Sequence, residues 1–168
     1  QQLTGITLAS HKVEMVYSRL VRRLRDLNLP DFDAYCAFLS SQQGESEIGL
    51  LVNALTTNLT RFYREPHHFE HLAKVVLPQV QESQSKVTTK PRLRIWSAGC
   101  SSGEEPYTIA MTVLATLPDI NRWDARILAT DIDTHMVETA KRGIYAADNA
   151  TAIPAAIRDR FSSKQQQG

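Results

Sequence analysis

The stretch that most constrains the fold of this chain runs from Leu93 to Ala110, LRIWSAGCSSGEEPYTIA. A short apolar run is followed by small residues, two glycines and then Glu104, Glu105 and a proline. This order predicts a strand, a tight loop and a helix, because proline and carboxylates suit a first helical turn. Gly99 and Gly103 allow positive φ and close approach of a ligand. Such a loop after the first strand of an α/β sheet typically binds nucleotide-like cofactors.

The two glutamates favour a cofactor that carries positive charge. Carboxylates at a helix N-terminus would repel a phosphate group, and the chain has no Gly-Lys-Ser/Thr sequence to form a P-loop. S-adenosylmethionine carries an ammonium and a sulfonium, so Glu104 or Glu105 could accept a hydrogen bond from its amino group. Alternatively, both glutamates only cap the helix, and the loop alone leaves these two interpretations open.

A second acidic position strengthens the cofactor interpretation. The sequence RILATDI, residues Arg126–Ile132, predicts another buried strand that ends in a carboxylate. The distance along the chain from the glycine loop is that at which an acidic residue after the second strand binds a ribose. We therefore predict Asp131 as the ribose ligand. It could instead cap the helix that begins near Thr134, although Asp133 is also placed for that role.

Composition restricts the classes of function. The 168 residues contain 42% hydrophobic and 22% charged residues, which is globular composition, and 19 basic residues against 18 acidic ones give no general attraction to nucleic acid or membrane. No apolar run reaches membrane-spanning length and the start of the sequence lacks signal-peptide features, so we expect a cytoplasmic protein. Neither the two cysteines nor the histidines have the spacing of a metal site, and no metal is predicted.

The first third of the sequence predicts a small helical bundle. Apolar residues recur at helical spacing over residues 10–27, again after a cap at Asp31 or Asp33, and again over residues 48–55. The first of these helices also carries a basic stripe made of Lys12, Arg19 and Arg23, with Arg22 farther round the helix. Such a stripe is most often only solvated, and it can also be a surface for an acidic partner.

A further helix-start signal lies at the end of the sequence TNLTRFYRE, residues 57–65. Glu65 and Pro66 predict a helix, which Pro78 is expected to end. The polar residues after it predict a surface linker. We therefore predict a helical N-terminal domain at 1–78, a linker at 79–91 and an α/β domain at 92–168. Asn58, Thr60 and Arg64 crowd polar groups into an aromatic turn, where they bind either a ligand or one another.

Three segments together resemble the CheR family of chemotaxis receptor methyltransferases: TNLTRFYRE at 57–65, RIWSAGCSSGEEPYTIAM at 94–111 and ILATDID at 127–133. Two small departures are Tyr63, where the family usually has phenylalanine, and Ser102, where it commonly has threonine. The resemblance implies an α/β fold in which a small helical bundle precedes a Rossmann-like class I methyltransferase domain. It also implies an activity, the methylation of glutamate side chains of chemoreceptors with S-adenosylmethionine, leaving S-adenosylhomocysteine.

The resemblance implies roles for particular residues. Asn58, Thr60 and Arg64 are expected to contact the cofactor, and Arg64 is expected to lie near the transferred methyl group as the catalytic residue. The set of cofactor-binding residues is completed by Gly99, Gly103, Glu104, Glu105 and Asp131. Relatives approach the helical methylation region of receptors with a basic helix, which implies that Arg19, Arg22 and Arg23 contact the receptor.

Two other classes of function remain possible at this stage. The same fold could serve as a non-catalytic adapter that binds a nucleotide and presents its helical domain to a partner. A nucleic-acid binder could use the arginine-rich helix, but the absence of a basic excess argues against that class. The sequence predicts no insertion into a membrane.

The sequence also raises the question of completeness. Only two convincing parallel strands follow residue 92, whereas a doubly wound methyltransferase sheet needs more of them to bury both faces. Relatives continue with further strands. We therefore expect that the chain is a fragment, apparently truncated within its methyltransferase domain, that transfers little methyl alone. Unpaired strand edges would favour self-association.

Overall fold

The computed structural model describes residues 12–85, 90–161 and 163. The described part of the chain up to Thr57 forms one compact unit together with Ile132–His135, and Asn58–Asp131 with the described residues from Met136 onward form a second. This division falls at Thr57, whereas the sequence predicted a domain boundary at 78. The difference has a physical reason: Phe69 and Leu77 belong to the apolar core of the second unit.

The secondary structure consists mainly of helices. The α-helices are α1 (Val13–Asp26), α2 (Phe32–Leu39), α3 (Glu45–Leu55), α4 (Pro66–His71), α5 (Leu77–Gln84), α6 (Glu104–Thr116), α7 (Thr134–Arg142) and α8 (Ala155–Phe161). Short 3-10 helices cover Gln42–Gly44, Ile120–Arg122 and Ala147–Ala152, and a π-helical turn covers Leu72–Val76. The strands are β1 (Arg92–Ala98) and β2 (Asp124–Thr130).

The first unit contains α1, α2 and α3, which confirms the predicted helical bundle in the described residues. Asp31 begins α2 as expected, because its side chain accepts a hydrogen bond of 2.8 Å from the Ala34 N–H. Leu24, Tyr35 and Val52 contribute one buried apolar side chain from each helix. Burial of these side chains is the main force that holds three short helices together.

A buried ionic cluster links α1 and α3. Arg23 donates from Nε and Nη2 to the two carboxylate oxygens of Glu47, each at 2.8 Å, and the Tyr35 hydroxyl donates to the same carboxylate at 3.0 Å. Glu47 is only 3% exposed. The hydrogen bond from Arg23 lowers the pKa of Glu47, and burial together with the Glu47 charge raises the pKa of Tyr35. The cluster is therefore a structural joint within the unit.

The basic stripe of α1 is not a single exposed surface, which corrects the sequence interpretation. Arg23 is turned toward Glu47, and the Arg19 guanidinium donates to the backbone carbonyls of Ala54 and Thr56. The last carbonyls of a helix have no intrahelical partner and carry partial negative charge, so they attract such a cation. Arg22 remains exposed. Sequence spacing predicted the alignment of these arginines but not their partners on α3.

The second unit is built on a parallel pair of strands. The register runs from Arg92 opposite Asp124 to Ala98 opposite Thr130. This confirms both predicted strands, although β2 begins two residues earlier than predicted and stops at Thr130. One face of the pair packs with α6 and α4–α5 in a core formed by Phe69, Leu77, Leu93, Ile109, Val113, Leu117 and Trp123. The other face carries the exposed side chains of Trp96 and Leu128.

The helix that begins at Pro66 does not end at Pro78, so that prediction is wrong. A π-helical turn at Leu72–Val76 connects α4 to α5, and the Leu77 N–H donates to the carbonyl of Leu72. Pro78 then lies in the first turn of α5, where its missing N–H costs little. The helix continues to Gln84, so the first part of the predicted linker is helical.

We predict that Arg23→Ala destabilises the first unit by about 3 to 5 kcal/mol, because it leaves the Glu47 carboxylate buried without its cationic partner. Arg22→Ala is the matched control, since its exposed side chain should contribute less than about 0.5 kcal/mol. Both tryptophans lie in the second unit. Tryptophan fluorescence therefore reports unfolding of the second unit only, whereas far-UV circular dichroism also reports the helices of the first. In urea, the Arg23→Ala variant should lose helical signal in circular dichroism at a lower concentration, with little change in the fluorescence transition. Equal stability of the two variants would contradict the prediction.

The same cluster predicts a dependence of stability on pH. The pKa of Glu47 is lowered in the folded state, so its stabilisation is present above the ordinary glutamate value of about 4.3. It is lost as the pH falls through the lowered folded value. Arg23→Ala should flatten this acid limb of the unfolding curve, and an unchanged acid limb would argue against the assignment.

Candidate functional site

Three successive backbone N–H groups of the glycine loop are bound at the end of β2. The N–H groups of Gly99 and Cys100 both donate to the Thr130 carbonyl, at 2.8 and 2.9 Å, and the Ser101 N–H donates to Oδ2 of Asp131 at 2.7 Å. Gly99 and Ser101 have positive φ, 82° and 49°. Because Ala98 lies opposite Thr130 in the strand register, the loop after β1 begins beside the end of β2. The hydrogen bond to Asp131 holds the loop backbone in its curved conformation at Ser101.

The two glycines of the loop serve different purposes. A Cβ atom at Gly103 would lie 2.6 Å from the Tyr145 hydroxyl and 2.8 Å from Cβ of Ala140, so glycine is required there by close packing. A Cβ atom at Gly99 would meet nothing within 4 Å. Of the two, Gly99 alone has the open space above its backbone that a ligand needs.

A cleft of about 170 Å³ lies beside Gly99. It is lined by side chains and backbone from two segments, the stretch around 59–69 and the glycine loop with the start of α6: Leu59, Thr60, Arg61, Arg64, Glu65, His68, Phe69, Gly99, Ser101 and Glu105. The structure thus brings together four residues that the sequence singled out separately, Thr60, Arg64, Gly99 and Glu105.

The two glutamates at the start of α6 have different surroundings. Glu105 is exposed, lines the cleft and accepts a 2.6 Å hydrogen bond from the Ser97 hydroxyl. Glu104 is 4% exposed, accepts a 2.7 Å bond from the Ser102 hydroxyl and is not among the cleft residues. Burial, and next the Glu104 charge, raise the pKa of Tyr145. Glu105 is therefore the carboxylate that a ligand in the cleft can reach.

Asn58 and Asp131 meet at Ser101 rather than in the cleft lining. The Ser101 hydroxyl donates to the Asn58 carbonyl at 3.2 Å, while its N–H is held by Asp131. At the start of α7, Asp133 accepts from the His135 N–H at 3.0 Å, which is the capping position that the sequence also allowed for it. Burial and the Asp131 charge raise the pKa of the Cys100 thiol, which keeps that thiol protonated.

Arg64 lies in a turn with unusual backbone geometry. Its neighbours Tyr63 and Glu65 both have positive φ, 52° and 56°, which is uncommon for residues other than glycine. Its guanidinium donates to the Leu59 carbonyl at 2.9 Å, so the turn closes on itself and holds the side chain at the cleft. Strain of this type concentrates at functional sites.

Sequence reasoning missed several cleft residues, namely Leu59, Arg61, Glu65, His68, Phe69 and Ser101. Arg61 and His68 carried no spacing signal, because residues 61–65 form a turn and the helix begins only at Pro66. Ser101 carried none, since its position depends on Asp131. Among the described residues, we find neither a cluster of three or more His, Cys, Asp or Glu able to hold a metal nor a helix long and apolar enough to cross a membrane.

Comparison with known proteins identifies the family. Residues 58–168 match the family described as CheR methyltransferase, SAM binding domain, and residues 1–56 match CheR methyltransferase, all-alpha domain. These matches and the structure confirm the predicted fold class, a helical domain followed by the first part of a Rossmann-like α/β domain. The SAM-binding match indicates S-adenosylmethionine as the cofactor.

Individual relatives agree with this assignment. A chemotaxis protein methyltransferase of Escherichia coli (strain K12) is 48% identical over 86% of this chain and 46% of its own length. Chemotaxis protein methyltransferase 2 of Pseudomonas aeruginosa is 45% identical over 95% of this chain and 54% of its own. A probable chemotaxis protein methyltransferase of Rhizobium etli is 42% identical over 98% and 60%. The chain spans about half the length of these curated relatives, and it belongs to the CheR methyltransferase family.

Proposed function

We propose that this chain provides the S-adenosylmethionine site of a methyltransferase that converts glutamate side chains of chemoreceptors into methyl esters. The observation that carries the proposal is that Thr60, Arg64, Gly99 and Glu105 all line the same cleft. The relatives are named chemotaxis protein methyltransferases, which supports a chemotaxis substrate. Glutamate as the acceptor and cytoplasmic helices of the receptor as its location are the finer parts of the proposal.

The residues of the cleft suit the charges of the cofactor. Its amino acid end is a zwitterion, for which Glu105 offers an acceptor to the ammonium and Thr60 a hydroxyl. The open backbone at Gly99 gives room for close approach. Asp131, which follows β2, is the proposed ribose ligand. Asn58 is proposed to support the cofactor site from the same side of the loop, because its carbonyl accepts the hydrogen bond of the Ser101 hydroxyl. We assign Glu104 and Gly103 to support of the loop.

Arg64 is proposed to position the acceptor. The bound cofactor supplies an electrophilic methyl group. A glutamate side chain has a pKa of about 4.3, so it is already an anionic nucleophile at neutral pH and needs no general base. Placement in near-attack geometry can contribute about 7 to 11 kcal/mol in favourable systems. A guanidinium binds a carboxylate through paired N–H bonds, a geometry that lysine does not reproduce.

The receptor-binding part of the proposal changes with the structure. Arg19 and Arg23 are engaged within the helical unit, so reversing their charge would damage the fold rather than test an interface. Arg22 is exposed, and we retain it as the proposed contact with acidic receptor helices. Such a contact would act over about a Debye length and weaken with salt.

The decisive experiment combines cofactor binding with methyl transfer to a purified chemoreceptor. Labelled methyl groups that are released as methanol by mild base would identify a carboxyl methyl ester. In a full-length relative that carries this segment, Arg64→Lys should reduce transfer by roughly a hundredfold, because a misplaced acceptor costs about that much, with a smaller change in cofactor affinity. Binding of S-adenosylmethionine without transfer, by the chain alone and by a full-length relative carrying this segment, would favour the adapter alternative.

We predict that Glu105→Gln weakens S-adenosylmethionine binding by about 1.5 to 3 kcal/mol, since it removes a charged acceptor from the cleft. Glu82→Gln, at an exposed position on α5, is the matched control and should bind normally. Isothermal titration calorimetry measures both. An unchanged dissociation constant for Glu105→Gln would remove this residue from the site.

We also predict a tenfold to more than hundredfold weaker affinity, about 1.5 to 3 kcal/mol, for Asp131→Ala. Asp131→Asn retains an oxygen that can accept the Ser101 N–H and should lose less. Circular dichroism melting should show whether the loop substitution also affects folding. Normal affinity in the alanine variant would exclude Asp131 from the site.

A further inference from the structure

The start of α7 is tied to the end of α3 by side-chain hydrogen bonds. The Thr56 hydroxyl donates to Oδ2 of Asp133 at 2.8 Å, and both residues are buried, at 8% and 3% exposure. Three residues before Thr56, Asn53 exchanges two bonds with Thr134: its Nδ2 donates to the Thr134 hydroxyl at 3.1 Å, and its Oδ1 accepts from the Thr134 N–H at 3.3 Å. All four residues belong to the first unit, and we call these bonds the α3–α7 tie.

Both partners in the buried bond of the tie are held in place. A hydroxyl has one proton, and the Thr56 hydroxyl also lies 2.9 Å from the Asn53 carbonyl. The Asp133 carboxylate is closer and is charged, which makes it the stronger acceptor of that proton. The Arg19 guanidinium donates to the Thr56 carbonyl, and the second oxygen of Asp133 accepts from the His135 N–H at 3.0 Å. The bond therefore has little freedom to move on either side.

The tie flanks two residues of the proposed cofactor site. Asn58 follows Thr56 by two residues, and Asp131 precedes Asp133 by two. In the second unit, Ser101 joins the same two segments: its hydroxyl donates to the Asn58 carbonyl at 3.2 Å, and its N–H donates to Asp131 at 2.7 Å. Two residues of chain span at most about 7 Å, so each segment is fixed at both ends over a very short length. The Asp131 carboxylate consequently has few alternative positions.

We propose that the α3–α7 tie positions Asp131 for the ribose of the cofactor, which makes Thr56 and Asp133 positioning residues of the site. The inference rests on the proposed function, in which Asp131 is the ribose ligand. Neither Thr56 nor Asp133 is among the residues that line the cleft, so they act through Asp131 rather than on the ligand. A carboxylate that is already held in its binding geometry loses less conformational freedom when the ligand binds, and this raises affinity.

The effect of the tie should be smaller than that of Asp131 itself. Removal of the Thr56 hydroxyl leaves the Asp131 carboxylate present but less restricted, so only part of its contribution to binding is lost. We expect the affinity for the cofactor to fall about threefold to tenfold, against tenfold to more than a hundredfold for Asp131→Ala.

The test is isothermal titration calorimetry with S-adenosylhomocysteine, on a full-length relative that carries this segment. Thr56→Val removes the hydroxyl and keeps the branched shape, whereas Thr56→Ser retains the hydroxyl. Asn53→Ala breaks the other part of the tie at a partly exposed position, and is the independent variant if Thr56→Val does not fold. Tyr35→Phe is the matched control, because it removes a buried hydroxyl that donates to a carboxylate in the same unit but outside the tie. Both tie variants are also combined with Asp131→Ala, since two residues that act on one interaction have non-additive effects.

We expect Thr56→Val to weaken binding about threefold to tenfold, Asn53→Ala about twofold to fivefold, and both Thr56→Ser and Tyr35→Phe less than about twofold. In the Asp131→Ala background, neither tie variant should weaken binding further. The inference is overturned by normal binding in the tie variants, by an equal loss in Tyr35→Phe, or by additive losses in the combined variants. Each of these results leaves the proposed function standing as long as the wild type binds S-adenosylhomocysteine, whereas a wild type that does not bind it rejects the proposed function together with the tie.

Discussion

The candidate site depends on how the glycine loop is attached to the end of β2. Because β1 and β2 are parallel and in register, Ala98 lies opposite Thr130, and the loop begins where β2 stops. The Thr130 carbonyl accepts two consecutive N–H groups, and Asp131 accepts the third. These bonds set the direction in which α6 leaves the sheet, and thereby the position of Glu105. The Ser101 hydroxyl extends the same attachment to the Asn58 carbonyl.

One buried carboxylate and one exposed carboxylate stand side by side in this arrangement. Glu104 and Glu105 are adjacent in sequence, and successive residues on a helix point about 100° apart. One of them is therefore enclosed with Ser102 near Tyr145, and the other faces the cleft. Glu104 can therefore hold the loop through its hydrogen bond with Ser102, while Glu105 remains accessible to a cationic ligand.

Features that depend on local chemistry could be predicted from the sequence. The Asp31 cap, the glycine-rich loop, the start of α6 and the order of the strands all follow from residues close together in the chain. Features that depend on distant partners could not. The pairing of Arg23 with Glu47 and the binding of Arg19 to the end of α3 cross more than twenty residues, and helical spacing alone could not distinguish them from an exposed stripe. The cleft was predicted only in part, because the turn that bends 59–65 toward Gly99 has no short-range signature.

The π-helical turn between α4 and α5 accommodates one surplus residue. In a regular α-helix, Phe69 and Leu77 would point about 80° apart, yet both side chains lie in one core, because the wider turn winds less per residue. The same turn allows Pro78 to begin a new helical segment instead of interrupting an old one. Deletion of one residue from Leu72–Val76 would preserve the apolar face but place the proline inside a continuous helix, at a cost of about 3 kcal/mol. Length variation in this segment should therefore be tolerated only in sequences that have also exchanged the proline, so that the two changes are inherited together.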